Sequence, residues 1–322
     1  MKGTPVWPAV DAETGLGSID PPDARDLAPY GTIARRRAAE LEANGFVVLR
    51  GLLDSEILEA WRSHVVASYL EADERRTAAT PFTRTLDPEQ PGGGTVQWGT
   101  GVVPSWRLSM EMAATLDALI GGLDRLVPWM SDYLSVSRYW PPPLAMASLR
   151  TMNRTEQIDA VMAALVATGP RLGHPFRDRL IRWMRPRLSW HLDETPARGR
   201  LEDQKLGVLG LVLLTDVDVE DGATAFLPDS PPRVARSLRD EPGRDQDDRG
   251  WTASIAKRCE RQVLATGRAG DVYLLHPLTL HARAPAWRSS LRIVSNPNFL
   301  AKEPLSYRDP RSPVERYAAR GL

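Results

Sequence analysis

The chain has 322 residues, and its 41 basic and 41 acidic side chains leave no net formal charge. Such a balance gives no field that would gather nucleic acid or an anionic membrane surface. The single cysteine, Cys259, excludes an internal disulfide and a cysteine metal cage, and a reducing cytoplasm fits. The start, Met1-Lys2-Gly3-Thr4-Pro5, lacks the apolar core of a signal peptide. The longest apolar run, around Val208 to Leu214, falls far short of the ~20 residues of a membrane span.

Residues 1–30 are rich in Pro, Gly and Asp without a period and are expected to form an extended arm. A mostly helical part is expected over 31–186. It opens with a helix from Thr32 to Asn44, Thr32 serving as N-cap and Gly45 as the stop. Phe46-Val47-Val48-Leu49-Arg50 reads as a strand. Asp54 then caps a second helix, in which Ile57, Leu58, Trp61, Val65 and Tyr69 recur at helical spacing. His64 belongs to that helix and reads as an ordinary surface or half-buried residue. From Asp73 to Gly101 periodicity is lost, and a loop is expected. Gly92-Gly93-Gly94 is not followed by the Lys-Ser/Thr of a phosphate-binding loop. Gln97, Trp98 and Trp106 read as loop anchors rather than substrate contacts.

Two helices are expected at 107–120 and 122–135, divided by Gly121-Gly122. A strand follows from Leu144 to Met152, with Met146, Ser148 and Arg150 on one face, and then helices at 155–168 and 175–184. His174 reads as a helix-start residue. After Pro186 the pattern changes to short apolar runs divided by turn residues: 187–193, 206–214, 223–227, 262–266, 271–276 and 291–299. This is the pattern of an all-β barrel or jelly roll over 187–300. Leu206 to Leu214 is apolar on both faces, as a strand covered on both sides must be. The charged stretch Pro231 to Gly250 reads as a solvated surface insertion with a short helix, and Cys259 as an inert residue in the insertion. Residues 301–322 are expected as a tail.

The chemistry converges on Leu188-Ser189-Trp190-His191-Leu192-Asp193. In a strand, residues i and i+2 point to the same side, so His191 and Asp193 project into one space. Two ligands hold a divalent metal poorly. With His281 they would form a two-His, one-carboxylate set, which leaves open positions on a non-haem Fe(II) ion. His276 competes for the third place, but it precedes a proline, and only His281 stands eleven residues before Arg292. That step sets the guanidinium on a neighbouring strand. A planar guanidinium suits a carboxylate. A metal set beside such an arginine is what a dicarboxylate co-substrate such as 2-oxoglutarate needs.

Those residues resemble the phytanoyl-CoA dioxygenase family of Fe(II)/2-oxoglutarate-dependent oxygenases. The matching stretches are Gly45-Phe46-Val47-Val48-Leu49-Arg50-Gly51-Leu52-Leu53-Asp54, Trp190-His191-Leu192-Asp193, Asp221-Gly222-Ala223-Thr224-Ala225-Phe226-Leu227-Pro228-Asp229-Ser230 and Gly270-Asp271-Val272-Tyr273-Leu274-Leu275-His276-Pro277, followed by His281 and Arg292. The resemblance implies an α+β chain with a double-stranded β-helix (jelly-roll, cupin-like) core and helices packed on one sheet. It implies His191, Asp193 and His281 as iron ligands, Arg292 as partner of the distal 2-oxoglutarate carboxylate, and Thr224 and Arg150 as further co-substrate contacts. Three departures bear on substrate and secondary contacts. Arg283 stands two positions after the distal histidine, where relatives carry a small residue. Pro228-Asp229-Ser230-Pro231 replaces a Pro-Gly-Ser-His, and helices are inserted over 153–184. Asp193 itself disfavours the halogenase variant, which lacks that carboxylate.

The expectation is therefore a single-domain oxidoreductase. With Fe(II), 2-oxoglutarate and O2 it would hydroxylate a C–H bond of a small, partly apolar molecule, releasing succinate and CO2. Desaturation, ring closure and epimerisation are alternatives. Two other readings are a cupin-type metalloenzyme that uses no 2-oxoglutarate, for example with hydrolytic Zn(II), and a catalytically silent jelly-roll binding protein. Neither the substrate nor the oligomeric state is legible.

Overall fold

A computed structural model describes residues 22–56, 58, 59, 62, 92–97, 109–138, 188–193, 199–244, 248–284 and 291–322. The expected strand at 144–152 with Arg150, the helices at 155–168 and 175–184, His64, His174, Trp98 and Trp106 lie outside these residues.

The expected N-terminal arm ends early: helix α1 (Ala24–Leu27) and a 3-10 turn (Ala28–Tyr30) occupy its last residues. Helix α2 (Gly31–Asn44) follows. Thr32 is not its cap but lies inside it, and its hydroxyl accepts from Arg35 Nη2 at 3.2 Å. The helix does stop at Gly45, whose φ of 82° closes the last turn onto the Leu41 carbonyl at 2.7 Å. No side chain fits there, because a Cβ would stand 2.6 Å from the Pro228 carbonyl oxygen.

Strand β1 (Phe46–Leu49) then enters a six-stranded sheet ordered β1-β7-β4-β9-β3-β2. Its other members are β2 (Gly92–Gln97), β3 (Leu126–Arg138), β4 (Leu206–Leu213), β7 (Val272–Leu275) and β9 (Leu291–Ala301). A three-stranded sheet, β6-β5-β8, consists of β5 (Thr224–Leu227), β6 (Val263–Leu264) and β8 (Leu280–Arg283). From β4 onward the chain passes from the large sheet to the small one, back at β7, over again at β8 and back at β9. That alternation of antiparallel strands between two facing sheets is the jelly roll.

Two corrections concern the N-terminal half. Helix α3 (Met110–Ile120) forms as expected, capped by Ser109, but the expected helix at 122–135 is the 13-residue strand β3 after one 3-10 turn. Pro128 opposes a helix interior, and Leu134-Ser135-Val136-Ser137 alternates with the period of a strand. Likewise the loop expected over 73–101 contains β2, which pairs with β3 from Gly92↔Arg138 to Gln97↔Tyr133.

Alternation sorts the core into two clusters. Leu209, Leu211 and Leu213 of β4 join Phe226, Tyr273, Leu275 and Val294 between the sheets. Val208, Val212, Val272, Leu274, Ile293 and Phe299 face the other way, in a cluster shared with Leu41, Met112, Leu116 and Leu119 of the helices. This is why β4 is buried on both faces. Each leucine so covered contributes about 1.5–3 kcal/mol of burial.

The charged stretch after Ser230 holds the expected short helix, α4 (Pro231–Asp240), and a second, α5 (Arg249–Arg258), follows it, but the helices are not simply solvated. Val234, Ala235, Leu238, Trp251, Ile255 and the adjacent Cys259 are buried in the same cluster as Ala225, Leu227, Leu280 and Ala282 of the small sheet. The expected tail is likewise ordered as α6 (Pro313–Ala319), started by a reciprocal capping box of Ser312 and Glu315. Among the described residues no helix is long and apolar enough to cross a membrane.

Candidate metal centre

The stretch from Leu188 to Asp193 is not the full strand expected. It is joined to β8 by an isolated bridge: His191 and His281 exchange both backbone hydrogen bonds, His191 N to His281 O at 3.0 Å and the reverse at 3.1 Å. The side-chain alternation nevertheless holds. Trp190 and Leu192 are buried in the outer cluster, and the Trp190 carbonyl accepts from Thr252 Oγ1 of α5 at 2.8 Å. With those two side chains anchored outward, His191 and Asp193 turn the other way. The same parity on β8 buries Leu280 and Ala282 outward and leaves His281 on the inner side, where its ladder partner is Phe226.

His191, Asp193 and His281 thus come together from positions far apart in the sequence. Their ligand atoms lie within 4.8 Å of one another, and the two imidazole centroids are 4.4 Å apart. Each ring is oriented by its own Nδ1. His191 Nδ1 is 2.9 Å from the Ser189 carbonyl and His281 Nδ1 is 3.0 Å from that of Thr279. A carbonyl accepts only, so both Nδ1 atoms carry hydrogen and both Nε2 atoms are the ones offered to the centre. This backbone orientation of the far ring nitrogen is the usual support of a metal-binding histidine. Asp193 completes the set. His281 Nε2 donates to its Oδ1 at 2.9 Å and His191 Nε2 stands 3.8 Å from the same atom, while the buried Oδ2 has no hydrogen-bond partner among the described residues. The donor set, two imidazole nitrogens and a carboxylate with spare capacity, fits a divalent transition metal.

The electrostatics agree. Burial pushes the Asp193 pKa up, but the adjacent His281 and His191 imidazoles outweigh it and hold the carboxyl below its ordinary value. Burial pushes the His281 pKa down, and Asp193 outweighs it in turn, so the imidazole is held above its ordinary value. Each of the two groups thus favours the charged form of the other.

His276 has the opposite surroundings. It is fully buried, its Nδ1 accepts from the Leu278 backbone N–H at 3.0 Å, and its Nε2 lies 3.0 Å from the Val314 carbonyl. Both nitrogens are committed, and burial lowers its pKa to about 3. It is a neutral structural residue holding α6.

Arg292 lies at the start of β9, only 2% exposed, and its Nη2 donates to Thr224 Oγ1 at 2.7 Å. The structure therefore joins two of the three expected co-substrate contacts, whereas Arg150 is outside the described residues. Burial and the nearby Arg283 lower the Arg292 pKa to about 9, with Asp221 opposing them, so the side chain stays charged at neutral pH. Arg283 pairs in register with Thr224 and so shares the inner side with His281. Beyond Arg292, the same parity on β9 carries Val294, Asn296 and Asn298 to the interior. The asparagines escaped the sequence reading, although the run Arg292-x-Val294-x-Asn296-x-Asn298 was there to be seen.

Residues 185–290 match the family model of phytanoyl-CoA dioxygenase (PhyH). The resemblance read from the motifs thus holds over the stretch that carries the His-x-Asp pair and the second histidine. No curated protein matches the chain. Among solved structures it is similar to the non-haem α-ketoglutarate-dependent carbocyclase SnoK from nogalamycin biosynthesis, with 14% identity over 89% of this chain and 90% of that one and a TM-score of 0.47. It is similar also to the apo form of EctD from S. alaskensis, with 16% identity over 95% and 86% and a TM-score of 0.49. A third is HygX from Streptomyces hygroscopicus with nickel and 2-oxoglutarate bound, with 16% identity over 84% and 89% and a TM-score of 0.43.

Proposed function

We propose that this chain is a non-haem Fe(II)/2-oxoglutarate-dependent oxygenase that hydroxylates a C–H bond of a small, partly apolar molecule. The observation that carries the reading is the convergence of His191, Asp193 and His281 within 4.8 Å, on the same inner side of the jelly roll as a buried Arg292 bonded to Thr224. Iron and 2-oxoglutarate bound there would supply an oxidant made from O2, with succinate and CO2 as co-products.

The chain's own residues do the rest. His191 and His281 present Nε2, because their Nδ1–H groups are tied to backbone carbonyls. Asp193 adds the negative charge that keeps a divalent ion in place. Three protein ligands on one side leave the other coordination positions for co-substrate and O2. Arg292 and Thr224 offer a cation and a hydroxyl to the far carboxylate of the co-substrate. The apolar wall of Leu209, Leu211, Leu213, Phe226 and Tyr273 keeps bulk water from the inner space, which strengthens each of these contacts.

The test is succinate release by the full chain with Fe(II), ascorbate and 2-oxoglutarate, set against Asp193→Ala and Arg292→Met. Asp193→Ala is expected to remove activity. Arg292→Met is expected to raise the 2-oxoglutarate KM by about 30-fold or more, as loss of one partner of a buried charge pair costs about 2–5 kcal/mol. Equal rates in all three proteins would end this reading.

A further inference from the structure

We propose that Asn298, with Asn296 beside it, forms a second polar station inside the jelly roll, at the level of the metal centre. It would bind a hydrogen-bonding group of the organic substrate. The assignment rests on the oxygenase reading and narrows it: the substrate presents a hydroxyl or amide near its reacting carbon rather than a bare acyl chain.

Three observations carry it. First, Asn298 is fully buried, and neither its side-chain nitrogen nor its oxygen has a hydrogen-bond partner among the described residues. The Asn296 Oδ1 is likewise buried and without a partner there. Each such unmade bond costs roughly 1–3 kcal/mol, so native chains rarely leave a whole amide in this condition. Second, both residues face the interior. They share parity on β9 with Arg292, which bonds across to Thr224 on the other sheet, and with Val294, which belongs to the inner apolar cluster. Third, they are level with the metal centre. His281 pairs with Phe226, whose ring packs edge-on against Phe46 at 5.0 Å and Tyr273 at 6.1 Å. Phe46 pairs with Leu275, Leu275 with Leu209, and Leu209 with Asn298. Phe226, Phe46 and Asn298 therefore mark one level of the barrel.

The co-substrate alone cannot satisfy these amides. Ionised 2-oxoglutarate offers carboxylate and keto oxygens, which only accept, and so leaves the buried Oδ1 of both asparagines without a donor. An amide offers donors and an acceptor together, so its complement is a group that both accepts and donates. A site of this kind also rejects an analogue lacking the group, since the amide is then left buried and unpaired.

Two measurements test it. The first uses the full chain loaded with diamagnetic Zn(II) and 2-oxoglutarate. The Asn298 side-chain NH2 signals, identified by their loss in Asn298→Leu, are followed by NMR during titration with acetamide. They are expected to shift with acetamide and to stay put with cyclohexane. Signals indifferent to acetamide would overturn the proposal. The second is the melting temperature. Asn298→Leu is expected to melt at or above the wild-type temperature, because it removes orphaned polar atoms. A fall of several degrees would make Asn298 a structural residue and overturn the proposal equally. Binding of 2-oxoglutarate separates this idea from the one beneath it. Asn298→Leu should keep the wild-type Kd within about twofold. A wild-type chain that binds no 2-oxoglutarate would refute the oxygenase reading, and acetamide added to the Zn(II) form alone would still decide the polar station.

Discussion

Two buried carboxylates, Glu315 at the start of α6 and Asp193 at the metal centre, are handled in opposite ways. Glu315 is completely buried and saturated. Its Oε1 accepts from Arg125 Nη2 at 2.6 Å and the Ser306 N–H at 3.0 Å. Its Oε2 accepts from the Arg311 and Ser312 N–H groups at 2.7 and 2.9 Å and from Ser312 Oγ at 3.1 Å. Asp193, 12% exposed at the side chain, has one close donor, His281 Nε2, and a buried Oδ2 that no described residue meets. A carboxylate offers about four acceptor sites. The protein fills them where the acid is architecture and leaves them open where a cation is to come. A buried charge thus reports its role through how completely its neighbours answer it.

Removing the open acid should have the largest effect. Asp193→Asn is expected to lower the affinity for a divalent transition metal by about 100-fold or more, since even an outer partner of a metal ligand is worth 10–100-fold. Competition with a chromophoric chelator measures it, and a loss below tenfold would break the contrast. The pH dependence sharpens it. Metal binds neutral imidazole, and Asp193 holds the His281 pKa above its ordinary value. Wild-type affinity should therefore fall as pH drops through that raised pKa. The metal-free protein behaves inversely: the stability that the His281–Asp193 pair gives is fully present below the unfolded histidine pKa and is lost as pH rises through the folded one. In the Asp193→Asn variant both trends should shift to lower pH, because burial, which lowers the His281 pKa, is then no longer offset by the carboxylate.

The same contrast explains what could be read in advance. The convergence of His191, Asp193 and His281 was legible because its signal is local chemistry: a His-x-Asp pair, and a histidine and an arginine eleven residues apart. It survived even though Leu188 to Asp193 forms an isolated bridge rather than a full strand, since outward burial of Trp190 and Leu192 imposes the same alternation a strand would. Strand β3 was not legible, because Leu123, Leu126, Met130 and Leu134 imitate helical spacing until Pro128 is weighed. Strand β2 begins with three glycines, which carry no side-chain period at all; its pairing with β3 is a backbone matter. The burial of helices α4 and α5 was hidden by their charge. A few apolar residues, Val234, Leu238, Trp251 and Ile255, suffice to seat them. Asn296 and Asn298 were missed because a buried amide looks like any polar residue until its partners are counted.

Glu315→Gln should be the intermediate case. The amide keeps the shape but replaces one acceptor oxygen with a donor, facing N–H groups that also donate. A loss of about 1–3 kcal/mol in folding stability is expected, with metal affinity unchanged. Burial pushes the Glu315 pKa up, but Arg125 and the backbone N–H groups of Ser306 and Arg311 outweigh it and hold it below its ordinary value. Its contribution is therefore present above the unfolded carboxyl pKa and lost as pH falls through the folded one. Denaturation at pH 7 and at pH 3 checks both points: the variant should approach the wild type in acid. A variant as far below the wild type at pH 3 as at pH 7 would show that the Glu315 charge is not what matters.

The smallest effect is expected where a buried acid is answered by an exposed base. Asp271 is 5% exposed and accepts from the Gly51 N–H at 2.8 Å, the Arg268 N–H at 3.0 Å and Arg50 Nη1 at 2.6 Å. It clasps the chain after β1 to the turn before β7, so this part of the Gly270-Asp271 motif is architectural. Among these three donors only Arg50 brings a full charge, yet its side chain is 57% exposed, and water screens most of what the ion pair could give. Two backbone donors remain when Arg50 is cut back. Arg50→Ala should therefore cost under about 1 kcal/mol, and that loss should shrink further in high salt. Urea denaturation at low and high ionic strength measures both. A loss above about 2 kcal/mol that salt does not touch would mean that Asp271 depends on its arginine as Glu315 depends on its own ring of donors, and the count of neighbours would then be a poor guide to what a buried acid is for.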